Sequence, residues 1–167
     1  MQDSATTEGN LETGIEGGQI VALEMLKGLC VASGLNADAV VRSSQRPYLQ
    51  IELIGEDVRS TFGRNGQSLD ALQFLCNTAL SRKAPDVRLM LDADGYRQRR
   101  ADTLKEQALE AADEVKKQNI EAEMGPLPAH ERRIVHSVLS EDPDIITYSE
   151  GEEPNRRIVI TVRAAQS

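Results

Sequence analysis

Tryptophan is absent from the 167 residues, and two phenylalanines and three tyrosines make up the whole aromatic complement. That scarcity excludes a sheet paved with aromatic rings on which successive bases of a single strand could stack. There is no apolar run of about eighteen residues or more, the minimum for a membrane-spanning helix, and no basic-then-apolar start of the signal-peptide kind. The expectation is a cytoplasmic protein with no membrane insertion. Cysteine is scarce too: Cys30 and Cys76 each sit in an apolar helical pattern, without a second Cys or a His at ligand spacing. They read as core packing, and no metal site is expected. His130 and His136 do not supply the missing ligands. A phosphate-binding Gly-x-x-x-x-Gly-Lys-Ser/Thr loop is also lacking, as is a positioned nucleophile and base. No catalytic residue and no cofactor is therefore assigned, and the protein reads as a non-enzyme.

Acids outnumber bases, 27 to 19, giving a formal charge of −8. A crude electrostatic binder of nucleic acid is excluded by that balance. The excess is uneven, however. Residues 1–17 carry four acids and no base, residues 18–93 carry eight of each, and residues 94–167 carry fifteen acids and eleven bases. The neutral middle segment has room for a local basic edge.

Residues 1–17, acidic and without apolar periodicity, read as a disordered leader ending at Gly17-Gly18. From Gln19 to Ser33, Ile20, Leu23, Leu26 and Cys30 recur at helical spacing, with Gly34 as a stop. Strands are expected over 38–43 and 47–54, where Leu49, Ile51 and Leu53 alternate with Gln50, Glu52 and Ile54. A short helical turn over 57–61 precedes a helix from Ser68 to Ser81 that buries Leu69, Leu72, Cys76 and Leu80. A strand over 87–91 follows. After Gly95 a long polar helix runs from Tyr96 to Lys117 on a thin stripe of Leu104, Ala108, Ala111, Ala112 and Val115. Gly125-Pro126-Leu127-Pro128 turns into a helix over 129–139, and a hairpin with strands over 145–149 and 156–162 closes the pattern. The fold class is α+β in two small domains, 18–93 and 94–167.

Two motifs carry chemistry. Gly63-Arg64-Asn65-Gly66 opens the helix at Ser68: neither glycine has a Cβ, both tolerate positive φ, and the helix N–H groups behind them favour an anion. Arg132 and His136, four residues apart, share a helix face. An arginine offers a guanidinium fork to phosphate, and a histidine can stack on a base or donate to a phosphate oxygen. The alternative is a surface ion pair and a histidine satisfied at the edge of the core.

Four segments in one order, Gly63 to Leu72, Gly95 to Arg100, Glu131 to His136 and Ser149 to Arg157, resemble the Jag family, also called SpoIIIJ-associated proteins. These are bacterial RNA-binding proteins in which a KH domain precedes an Arg-x-x-x-His, or R-three-H, domain. The resemblance spans about Gly18 to Val162. It implies a KH domain of the bacterial type over 18–93, with helices on one face of a three-stranded sheet, and a second domain of helices packed on a small sheet. The family's longer members have an additional N-terminal domain, in whose place this sequence has the acidic leader.

The same resemblance implies that Gly63, Arg64, Asn65 and Gly66 clamp the backbone of about four nucleotides. It also implies RNA contacts from Arg132, His136, Ser149, Gly151, Arg156 and Arg157. Strand alternation makes Arg157 the residue turned to solvent, whereas the motif singles out Arg156. Arg97, Arg99 and Arg100 form a basic cluster that either faces RNA, with Arg97 and Arg100 as contacts, or is a solvated helix face. The implied ligand is single-stranded RNA, with single-stranded DNA as an alternative. The implied role is post-transcriptional, linked to cell elongation and division, with a small single-KH-domain protein or a second copy of this chain as partner. A reading from a different class is a protein-interaction adaptor whose KH surface serves dimerisation and whose acidity repels RNA.

Overall fold

The computed structural model describes residues 15–163. Most of the expected leader lies outside the described residues. The chain forms two compact units, one ending at Arg97 and the other beginning at Gln98. Both are mixed α and β with a small sheet each, as the α+β reading expects.

In the first unit, helix α1 (Ile15–Ala32) leads into β1 (Ala37–Gln45) and β2 (Tyr48–Gly55). Single 3-10 turns at Val58–Thr61 and Arg64–Gly66 precede α2 (Gln67–Lys83) and β3 (Arg88–Ala93). Helix α1 starts at Ile15 and not at Gln19, because Gly17 and Gly18 are buried within it and do not break it. A Cβ on Gly18 would stand 3.2 Å from Ala84 Cβ and 3.3 Å from a Val87 methyl, so the glycine lets the helix approach the loop before β3 closely. Ala22, Leu26 and Cys30, four residues apart, then point into the core.

The sheet order is β1-β2-β3, with β1 antiparallel and β3 parallel to β2. Leu49, Ile51 and Leu53 on β2 and Leu89, Leu91 and Ala93 on β3 share the buried face, against Leu69, Cys76 and Leu80 of α2. Burying each large side chain contributes about 1.5–3 kcal/mol before the entropy of ordering it is subtracted. Burial raises the Cys76 thiol pKa to about 11 and pushes that of Cys30 up as well, with Asp38 adding to the latter. Both cysteines are free and buried, as read from the sequence.

The outer edge of β3 is closed by side chains. Asn77 donates to the Leu89 carbonyl (2.9 Å) and accepts from its N–H (2.9 Å), Gln73 accepts from Leu91 N–H (2.9 Å), and Arg97 Nε donates to the Leu91 carbonyl (2.7 Å). Amides four apart on α2 thus match backbone groups two apart on the strand, in the manner of a neighbouring strand.

In the second unit, α3 (Tyr96–Gln118) buries Leu104, Ala108, Ala112 and Val115, and α4 (Ala129–Leu139) buries Val135 and Leu139. Both sets pack with Ile145 of β5 (Ile145–Glu150) and Ile158 and Ile160 of β6 (Arg157–Val162). The sheet has a third strand that sequence reading does not find, β4 (Ala122–Met124), which makes β6 central in the order β4-β6-β5. Three residues are too few to show alternation. No helix among the described residues is long and apolar enough to cross a membrane.

Candidate nucleic-acid interface

Between the turn at Val58–Thr61 and helix α2 the chain reverses through three special conformations: Gly63 at φ 66°, Asn65 at φ 52° and Gly66 at φ 78°. Non-glycine residues rarely adopt positive φ, and asparagine is among the few that do so readily. Space as well as torsion demands the glycines. A Cβ on Gly63 would come within 2.8 Å of Ser68 Cβ, and one on Gly66 within 2.7 Å of Tyr96 Cε1. Tyr96 in turn stacks on Phe62, ring centroids 4.6 Å apart, and Ser68 N–H donates to the Phe62 carbonyl (3.2 Å). An aromatic pair and a serine therefore hold the turn from beneath. Gly63, Arg64 and Asn65 are exposed, and the Arg64 guanidinium pairs with no described residue. A free cation, open backbone and the N-terminus of a seventeen-residue helix meet here.

The arginines at the start of α3 depart from the expected basic cluster. Arg97 is committed to Leu91, to Gln73 (3.3 Å) and to Asp70 (2.9 Å), which ties α2 to β3. In the second unit, Arg100 makes a two-pronged pair with buried Glu131, at 2.8 and 3.0 Å. Two planar groups so matched leave little of the guanidinium to offer a ligand. Arg99 is exposed. The sequence signal for Arg100 lay in Glu131, an acid at a position that the helical pattern turns inward.

Arg132 is only 7% exposed. Its Nη1 donates to the Leu127 carbonyl (2.6 Å) and its Nη2 to Glu153 Oε1 (2.8 Å). One turn on, His136 Nδ1 lies 2.7 Å from Thr147 Oγ1 and Nε2 lies 3.3 Å from Ser149 Oγ, because Thr147 and Ser149 alternate onto the helix side of β5. Burial, and secondly the charge of Arg132, lower the His136 pKa and favour its neutral form. Gly151, at φ 86°, opens the loop from β5 to β6. Arg156 is half-buried with no hydrogen bond to its Nε, while Arg157 lies between Glu123 (3.1 Å) and Glu150 (3.0 Å). Alternation thus points Arg157 outward, as read, but onto two acids. Arg133, not singled out from sequence, is exposed and pairs with no described residue. No described group of three or more His, Cys, Asp or Glu residues is arranged to hold a metal ion.

The helix carrying Arg132 and His136, packed on a three-stranded sheet, belongs to a defined class: residues 102–162 match the R-three-H domain, and the chain is an R-three-H-domain protein. Its relatives are proteins named RNA-binding protein KhpB. That of Clostridium symbiosum is 33% identical over 144 residues, covering 85% of this chain and 65% of that protein. That of Bacillus subtilis (strain 168) is 34% identical over 139 residues, covering 81% and 66%. A third, from Lactiplantibacillus plantarum, is 36% identical over 102 residues, covering 60% and 32%. The chain spans at most 66% of the length of these curated relatives. The resemblance read from the motifs is borne out for the R-three-H domain and for homology to these proteins.

Proposed function

We propose that this chain is an RNA-binding protein without enzymatic activity, in which residues 18–93 are a KH domain, residues 94–167 contain the R-three-H domain, and single-stranded RNA is the ligand of both. The observation that carries this reading is the turn at Gly63–Gly66, where two glycines with no room for a Cβ expose backbone beside unpaired Arg64 at the head of α2. The R-three-H match and the name of the relatives support it. Single-stranded DNA is the natural competitor. Linking two weak sites raises their joint affinity through effective concentration.

The turn supplies a first contact by charge and backbone, and Arg132, His136, Ser149, Gly151 and Arg156 a second. Arg97, Arg100 and Arg157 act by holding their elements in place. The cellular role in this proposal is post-transcriptional control tied to elongation and division, in the cytoplasm, with a single-KH-domain protein or a second copy as partner. The adaptor reading is not favoured, since it leaves the unpaired Arg64 and the opened turn without a purpose.

The test is fluorescence anisotropy of a labelled single-stranded RNA pool, at two salt concentrations, against the chain and a variant carrying Arg64→Asp and Asn65→Asp. Binding should weaken with salt and collapse in the variant. A folded wild type that leaves the RNA free at low salt would sink the proposal.

A further inference from the structure

The loop between β5 and β6 poses a chemical problem, since Glu150, Glu152 and Glu153 crowd the face that carries Arg132, His136 and Ser149. Acids there should repel phosphate. Two of the three are spoken for: Glu150 pairs with Arg157 at 3.0 Å and Glu153 with Arg132 at 2.8 Å. The Arg132 pair is asymmetric, its guanidinium side chain 9% exposed and the Glu153 side chain 57% exposed. Arg132 cannot follow a ligand outward, because its other arm is fixed on the Leu127 carbonyl at 2.6 Å. Glu153 can leave, since it stands on a solvent-facing loop.

We infer that Glu153 is an internal competitor for RNA, its carboxylate filling the place on Arg132 that a backbone phosphate would take. The inference rests on the RNA-binding reading of the R-three-H face. Carboxylate and phosphate are interchangeable in charge-assisted pairing with a guanidinium, both presenting oxygens to the same N–H fork. A buried arginine with no anion would carry an uncompensated charge, and Glu153 supplies the counter-charge while RNA is away. When a phosphate arrives one anion replaces another, Arg132 stays paired throughout, and Glu153 turns to water. His136 beside it adds no competing charge, because burial and Arg132 favour its neutral form. The exchange makes Arg132 a contact whose strength is discounted by the anion it must give up. A phosphate in a chain that other groups already hold competes better than a free anion, so the device favours RNA over isolated phosphate.

The experiment is anisotropy titration of the same labelled single-stranded RNA pool with the full chain, its Glu153→Gln variant and Glu152→Gln, which makes the same charge change one residue away. Circular dichroism and thermal melting follow the fold. Glu153→Gln should melt at a lower temperature than wild type yet bind RNA roughly threefold to tenfold more tightly. It should also show a salt dependence steeper by about 0.7 in log K against log salt, the increment for one further phosphate contact on a single strand. Glu152→Gln should show neither change in full. Glu153→Asp, which keeps the charge but shortens the reach, should be intermediate, and it carries the test if the glutamine variant does not fold. In an Arg132→Gln background the gain from Glu153→Gln should vanish. Equal affinity in Glu153→Gln and Glu152→Gln, or weaker binding in the former, overturns the inference while leaving RNA binding itself standing. If no folded variant, wild type included, binds RNA, the functional reading falls and the inference with it.

Discussion

Gly66 rests against the ring of Tyr96, with Cε1 only 2.7 Å from where a Cβ would be. The turn is thereby shaped by a residue thirty positions downstream, at the first turn of α3. Gly66→Ala must strain a backbone at φ 78° and displace a ring stacked on Phe62. We expect it to cost about 1–3 kcal/mol in denaturant unfolding. RNA affinity should fall in the folded variant as well, because the turn is re-aimed. Unchanged stability and affinity would show that the turn tolerates a Cβ and that the ring is not its floor.

The arginines of the first unit divide by what already holds them. Arg64 is exposed and pairs with no described residue, so Arg64→Ala should leave unfolding free energy within about 0.5 kcal/mol of wild type while weakening RNA binding. Arg97 joins Leu91, Gln73 and Asp70, so Arg97→Ala should lower stability by roughly 1–3 kcal/mol. Its affinity per folded molecule should change less than that of Arg64→Ala. Paired unfolding curves and anisotropy titrations check the division, and a larger affinity loss in Arg97→Ala would reverse the assignment.

What sequence can and cannot reveal follows the same division. Helix α4 is readable to its ends, Ala129 and Leu139, because a Pro precedes it and one apolar face defines it. Alternation in β2 shows which of its residues face the core for the same reason: both are periodic signals. Gly17-Gly18 reads as a boundary because two glycines weaken a helix locally, yet a close packing contact, invisible from composition, keeps them inside α1. Charged residues suffer most. A cluster such as Arg97, Arg99 and Arg100 reads as solvent-facing, but whether an arginine meets water or a buried acid like Glu131 depends on what the fold brings opposite it. The glycine turn is legible because torsion is a local property. The pairing of Arg132 with Glu153, twenty-one positions apart, is not.

The amide caps on β3 lead to a third expectation. Asn77 satisfies both the N–H and the carbonyl of Leu89, so Asn77→Ala strips two part-buried backbone groups of partners. The cost should be about 1–3 kcal/mol, the penalty for leaving such groups unmade. It also exposes a strand edge, which favours pairing with another chain. Light scattering should therefore show more self-association in Asn77→Ala than in wild type at equal concentration. Asn77→Asp, able to accept but not to donate, should fall between the two in stability. Wild-type stability in the alanine variant would mean that water replaces the amide without loss.

His136 sets the last expectation, a pH dependence with a definite sign. Burial and the neighbouring Arg132 charge lower its folded pKa, so the folded state takes up a proton less readily than the unfolded chain, whose histidine titrates near about 6.5. The unfolded state binds more protons in the window between those two values, so stability rises with pH across it. The contribution is complete above about 6.5 and is lost as pH falls through the folded pKa. The slope cannot exceed about 1.4 kcal/mol per pH unit for one proton. Urea unfolding at pH 7.5, 6.5 and 5.5 should show wild type losing stability on the acid side, and His136→Asn should remove that part of the loss. The other histidine, His130, is exposed and present in both proteins, so the difference between the two curves isolates His136. RNA affinity should stay flat from pH 7.5 to 6.5, since the neutral imidazole held by Thr147 and Ser149 brings no charge to the interface in that range. A rise in affinity beginning above pH 6.5 would mean instead that His136 is charged when RNA is bound, and that the nucleic acid overcomes both burial and Arg132 to keep it so.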